Sequence, residues 1–180
     1  VLRTEPDGLI LETRTTNDSE MPEVRVTVAA PWSPRALTEA AWELRNDGMQ
    51  VKYLGRRKVL SQTDSDRVLF LAVRPPIVRQ RQCILRQSRW TDASGAAHLR
   101  FATVRFTPAP EEALPFAQLR GHWTFQPSPA GGSVVIYTTL IDLGLGVPIW
   151  LARGPQIDAA VDTVREVVAR AKAFSAQTQR

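Results

Sequence analysis

Apolar and polar residues alternate along most of this chain. Residues 8–14 set Leu9 and Leu11 against Ile10 and Glu12, the period-2 pattern of a half-buried strand. A polar run over 15–20 makes a turn. Residues 23–29 then alternate strictly, with Val24, Val26 and Val28 on one face, so the two segments read as a hairpin. The pattern changes at Ser33-Pro34, an N-cap followed by a first-turn proline. Leu37, Ala40, Ala41 and Leu44 fall on one helical stripe, and Asn46-Asp47-Gly48 predicts its end. From residue 53 the reading returns to β, over 53–60, 67–74, 78–90, 98–107, 118–126 and 133–142. Turn chemistry separates these runs: Thr63-Asp64-Ser65-Asp66, Pro75-Pro76, Asp92-Ala93-Ser94-Gly95, the proline-rich 108–115, and 127–132. Successive strands joined by short turns predict an antiparallel meander.

The last element differs in kind. Over 156–174, Ile157, Val161, Val164, Val168 and Ala171 recur at the 3.6-residue spacing of an amphipathic helix, and Pro155 suits its entry. A long amphipathic helix after a run of strands has to bury its stripe against the sheet. The fold class is therefore α+β, a curved antiparallel sheet with one long C-terminal helix. No internal repeat interrupts the plan, so residues 1–180 read as one domain.

Composition narrows the function classes. The 180 residues are 43% apolar and 23% charged, which excludes wholesale disorder and allows a real core. Lys and Arg exceed Asp and Glu by 23 to 18, and only Lys52, Lys58 and Lys172 are lysines. This arginine-weighted +5 suits anionic surfaces, headgroups or phosphates, and is also common in soluble proteins of GC-rich genomes. The single cysteine, Cys83, excludes an intramolecular disulfide. His98 and His122 carry no metal-ligand spacing, so no metal is assigned. No apolar stretch reaches the ~18 residues of a membrane span; the most hydrophobic region, 140–152, is broken by Asp142, glycines and Pro148. The chain starts at Val1 rather than Met. A cytoplasmic location is expected, or a periplasmic or secreted one if a signal peptide precedes Val1.

Motif chemistry is sparse. The chain has no Gly-x-Ser-x-Gly elbow, His-Glu-x-x-His, Walker loop or Gly-x-Gly-x-x-Gly, since Gly144-Leu145-Gly146 lacks the third glycine. Glu111 and Glu112 sit in the proline-rich loop and read as a solvated pair. His98 and His122 fall on strands with nothing local to orient them, and Cys83 reads as a buried, inert thiol. No catalytic residue and no cofactor is assigned. Between 67 and 91 lie six arginines, no acid and Trp90, a combination that suits a stacking platform for nucleic acid. Alternation splits that run: Arg79, Arg81 and Arg89 share a face with Cys83 and Leu85, while Arg86 shares the other with Ile84 and Trp90. A stripe divided between faces makes a poor groove, so no nucleic-acid partner is assigned. It reads instead as a solvated face plus one or two inward arginines, each needing a partner.

The order of elements resembles the START (steroidogenic acute regulatory-related lipid transfer) domains of the helix-grip superfamily, which also includes polyketide cyclases. The resemblance runs from Asp7-Gly8 to about Phe174. Its most specific stretch is 137–151, YTTLIDLGLGVPIWL, similar to the family's strand–Asp–Gly–x–x–Pro–x–Trp–Leu passage into the last helix. Gly121-His122-Trp123, with Pro127 and Gly131-Gly132-Ser133, looks like the preceding family hairpin. Pro75-Pro76-Ile77 through Arg89-Trp90 resembles a strand that commonly reads Pro-x-x-x-Arg-Asp and ends Arg-x-Trp. The chain departs from that pattern in three places. Gln82-Cys83 replaces the Arg-Asp pair, Tyr53 is the nearest aromatic to a tryptophan usual after the first helix, and the family's N-terminal helix would precede Val1.

The resemblance implies a sheet of about seven strands gripping the C-terminal helix around an internal hydrophobic cavity, which holds one lipid or sterol-like molecule. Ile157, Val161, Val164 and Val168 are expected on one cavity wall, and Trp123, Phe125, Tyr137 and Thr139 on the other, with Arg86 as a polar anchor. Gly144, Gly146 and Gly154, with Pro148 and Pro155, bracket Trp150 like a hinge, which makes Trp150 a lid, a membrane-touching residue or a cap of the helix. The expected function is non-enzymatic binding for transfer or sensing, by a monomer with transient membrane contact. The alternative is a cyclase or aromatase in which Arg86, His122 or Tyr137 polarises a carbonyl.

Overall fold

A computed structural model describes residues 2–44, 54–74, 79–104, 114–144 and 147–175. The expectations for Asn46-Asp47-Gly48, Tyr53, Pro75-Pro76-Ile77, Glu111-Glu112 and Gly146 lie outside the described residues. The chain runs β1 (Arg3–Thr4), β2 (Ile10–Arg14), β3 (Glu23–Ala30), α1 (Pro34–Trp42), β4 (Leu54–Gln62), β5 (Asp66–Val73), β6 (Arg81–Thr91) and β7 (Ala97–Val104). It continues through β8 (Leu114–Pro115), β9 (Gln118–Pro127), β10 (Ser133–Asp142) and α2 (Ile149–Ser175). All strands join one sheet in the order β1-β2-β3-β10-β9-β7-β6-β5-β4, with β8 pairing β6. Every pairing is antiparallel except that of β8.

Among the described residues the sheet has ten strands rather than about seven. Two of them, β1 and β8, are only two residues long. Ladders that short contain no period for alternation to reveal, and β8 lies in a proline-rich segment that reads as loop.

Helix α1 begins where the chain's chemistry directs. Ser33 Oγ accepts from Ala36 N at 3.3 Å, and Pro34 sits in the first turn, where its missing N–H costs nothing. The start of α2 corrects the expectation: it begins at Ile149, and Pro155 lies inside it. Pro148 is the residue that starts the turn, its carbonyl accepting from Leu151 N and Ala152 N at 2.9 and 3.2 Å. Pro155 removes the donor that would have met the Leu151 carbonyl, near enough to the helix start for the helix to persist.

The helices lie on the same face of the sheet. α1 packs on β7 and β9, and α2 packs on β3, β10 and α1. Side chains of that inner face alternate as the pattern predicts: Val24 and Val26 on β3, Trp123 and Phe125 on β9, Val135 and Tyr137 on β10 are all buried. On α2, Ile157, Val161, Val164 and Ala171 are buried and Val168 is packed against them; Ala160 and Val167 widen the stripe. Gly121 belongs to this inner face for a steric reason. A Cβ there would stand 2.2 Å from Phe101 Cζ and 2.5 Å from the Thr138 carbonyl, so only glycine lets the phenyl ring cross β9.

Candidate functional site

The inner face of β9 and β10 carries a run of aromatic rings. Trp123 stacks on Tyr137 with centroids 4.1 Å apart and on Phe125 at 5.6 Å, and Phe101 extends the row to Tyr137 at 6.2 Å. Burial pushes the Tyr137 hydroxyl up to about 12, with a hydrogen bond to Thr139 pulling the other way. Thr139 Oγ1 also reaches the Arg120 carbonyl at 3.4 Å. The α2 stripe of Ile157, Val161 and Val164 belongs to the same packed core as Trp123, Phe125 and Tyr137. The register is the expected one, with Tyr137 and Thr139 inward and Ile136 and Thr138 on the other side.

Arg86 is a correction. Its side chain is 65% exposed and pairs with Asp66 at 3.5 Å on the outer face. Strand pairing puts Arg86 opposite Val68, whereas the inward residues of β6 are Cys83 and Leu85. The inward arginines are Arg81 and Arg67, 3% and 4% exposed. Arg81 Nε donates to the Leu143 carbonyl at 2.7 Å and Nη1 to the Arg79 carbonyl at 3.1 Å, tying β6 to the segment before α2. Arg67 Nε donates to Gln87 Oε1 at 2.5 Å, and its guanidinium lies 4.0 Å from the centre of the Trp42 ring. Arg89 lies 4.5 Å from the same ring and is held by Glu39 at 2.9 Å, so one indole of α1 meets two guanidiniums. Burial, then the neighbouring Arg57, lowers the proton affinity of Arg67, and Glu43 opposes the shift. Alternation puts Arg81 and Arg89 in phase with Cys83 and Leu85, and Arg67 with Leu69, without telling which face turns inward.

His122 is a second correction, because it sits on the outer face of β9 beside Trp90 and His98 and faces no interior. Trp150 is 79% exposed on the first turn of α2. The exposed Ile149 stands beside it. Near them a cleft of about 410 Å³ opens between 19–21 and the start of α2, lined by Met21, Leu143, Val147, Ile149 and Ala152. Cys83 is buried, and desolvation raises its thiol to about 12, which makes it inert.

No protein-family model matches the chain, and no curated protein matches it in sequence. Solved structures do match. The STAR-related lipid transfer protein from Xanthomonas axonopodis aligns over 96% of this chain and 98% of its own, with a TM-score of 0.81 at 18% identity. Human STARD10 aligns over 98% of this chain and 74% of its own, with a TM-score of 0.78 at 11% identity. This chain has the START fold. The helix-grip arrangement of START domains accounts for one long helix against the concave side of an antiparallel sheet. The same fold extends to the Zhui aromatase/cyclase from Streptomyces sp. R1128, which covers 83% of this chain and 93% of its own, with a TM-score of 0.55 at 13% identity. The fold is thus found in a lipid transfer protein and in an aromatase/cyclase alike.

Proposed function

We propose that this chain holds one lipid or sterol-like molecule between α2 and the inner face of the sheet, and carries or senses it unchanged. The observation that carries the reading is the composition of the two facing walls. Trp123, Phe125 and Tyr137 present broad aromatic faces, and α2 answers with Ile157, Val161, Val164 and small alanines, so a molecule inserted between helix and sheet would meet apolar side chains on both sides. Withdrawing several hundred Å² of lipid surface from water at ~25 cal/mol per Å² contributes several kcal/mol. Entry and exit are proposed at the α2 start, where the cleft, Gly144 and the interrupted bonding at Pro155 lie together. The exposed Ile149 and Trp150 at the α2 start support a transient membrane contact, made by a chain that acts as a monomer in this proposal.

Native mass spectrometry of gently purified chain tests the proposal. One intact hydrophobic molecule per chain is expected, exchangeable with vesicle lipid. A chain that is empty and takes up no lipid from vesicles overturns it.

The aromatase/cyclase similarity supports a second reading. Of the three side chains expected to polarise a carbonyl, Tyr137 alone stands on the inner face. Turnover of a poly-β-ketone that is abolished by Tyr137→Phe would favour catalysis over carriage.

A further inference from the structure

The outer face of the sheet holds a side-chain cluster that ligand carriage does not use. Trp90 on β6 pairs across the ladder with His98 on β7, and His98 is a diagonal neighbour of His122 on β9. His98 Nδ1 and His122 Nε2 are 3.3 Å apart, and Thr124 Oγ1 is 3.5 Å from the same Nδ1. The other nitrogen of His98, Nε2, lies 2.9 Å from Asp92 Oδ2. Asp92 is itself held in place: its Oδ1 accepts from Ser94 Oγ, Ser94 N and Ala96 N at 2.6, 2.8 and 3.1 Å. The Trp90 ring lies nearly parallel to both imidazoles, with centroids 5.0 and 5.7 Å away.

This arrangement determines which nitrogen carries the proton. An ionised Asp92 accepts the Nε2–H of His98, so His98 Nδ1 is left as a lone pair aimed at His122. Two imidazole nitrogens bound to one tetrahedral ion at about 2.0–2.1 Å stand roughly 3.3 Å apart. A carboxylate behind the ring is the usual outer partner of a metal-ligating histidine. We propose that His98 Nδ1 and His122 Nε2 form a two-point site for an imidazole-preferring divalent ion, Cu²⁺ or Zn²⁺, on the outer face of the sheet. Without the ion, the His122 Nε2–H donates to His98 Nδ1. When the ion takes the place of that hydrogen, the His122 proton moves from Nε2 to Nδ1 by exchange with water, so the neutral pair releases none. Among the described residues no third His, Cys, Asp or Glu converges with them, so water fills the remaining positions. Arg100, which pairs across the ladder with His122, opposes either divalent ion equally, and the preference for Cu²⁺ rests on its being the strongest imidazole binder of its series.

The test is calorimetric titration of tag-free chain with CuCl₂ and with ZnCl₂, read together with tryptophan fluorescence. One saturable equivalent is expected, with Cu²⁺ quenching a component that Trp90→Phe removes. His98→Gln and His122→Gln should each weaken binding at least roughly tenfold, and Asp92→Asn roughly tenfold, with unchanged circular dichroism. Electron paramagnetic resonance of the Cu²⁺-loaded unmodified chain provides a readout independent of any variant, and two equatorial imidazole nitrogens are expected. Binding indifferent to both histidines, no saturable binding at millimolar ion, or a spectrum with fewer than two imidazoles overturns the proposal.

Discussion

Ser19 and Asp142, 123 residues apart, meet in a 2.8 Å hydrogen bond at the root of the C-terminal helix. Ser19 Oγ donates to Asp142 Oδ2 and accepts from Met21 N at 3.0 Å. The other carboxylate oxygen accepts from Gly144 N at 2.8 Å, fixing a turn whose glycine sits at φ +85°. One side chain thus fastens both the β2–β3 loop and the hinge before α2.

Asp142→Ala should cost about 2 kcal/mol, since two hydrogen bonds to a charged group are lost while their donors gain water. Hydrogen exchange should rise over 19–21 and the first turns of α2 more than in β9. Uniform exchange across the chain would contradict a local fastening.

Gly121→Ala should destabilise by about 1–3 kcal/mol, because the new methyl meets Phe101 and the Thr138 carbonyl where nothing yields cheaply. Chemical denaturation of Gly121→Ala, Phe101→Leu and the double variant checks the cause. The double variant should be more stable than the sum of the single effects implies, since the smaller side chain vacates the space.

Tyr137 predicts an alkaline limit. A tyrosine ordinarily ionises at 10.0, and the buried hydroxyl at about 12. Between these values the folded chain holds a proton the unfolded chain has released, so stability present below pH 10 is lost as pH rises toward 12. Cys83, raised from 9.0 to about 12, adds loss of the same sign from a lower pH. Denaturant midpoints should fall across this window, and less steeply for Tyr137→Phe.

Trp150→Ala should leave stability within about 0.5 kcal/mol, because the indole is 79% exposed. If the mouth beside it visits membranes, transfer of a fluorescent lipid between anionic vesicles should slow in this variant. Equal transfer rates would separate Trp150 from the membrane contact.

Alternation and helical spacing carried most of the architecture. The strand runs, the Ser33-Pro34 start and the α2 stripe all lie in local patterns, because period 2 and period 3.6 record which side of each element meets the core. The buried side of β10 was legible for the same reason, with Tyr137 and Thr139 on it. Pro155 misled, since a proline in an early helical turn and a proline at its entry look alike until the preceding backbone is seen.

The sequence by itself therefore determined the elements, their apolar faces and the START-like order. Tertiary structure alone decided which face of β6 turns inward, sending Arg86 out to Asp66 and Arg81 and Arg67 in. It also brought His98 to His122 and Ser19 to Asp142. A local pattern records burial within one element, whereas these pairs depend on which strands become neighbours, and that choice is made by long-range pairing across the whole sheet.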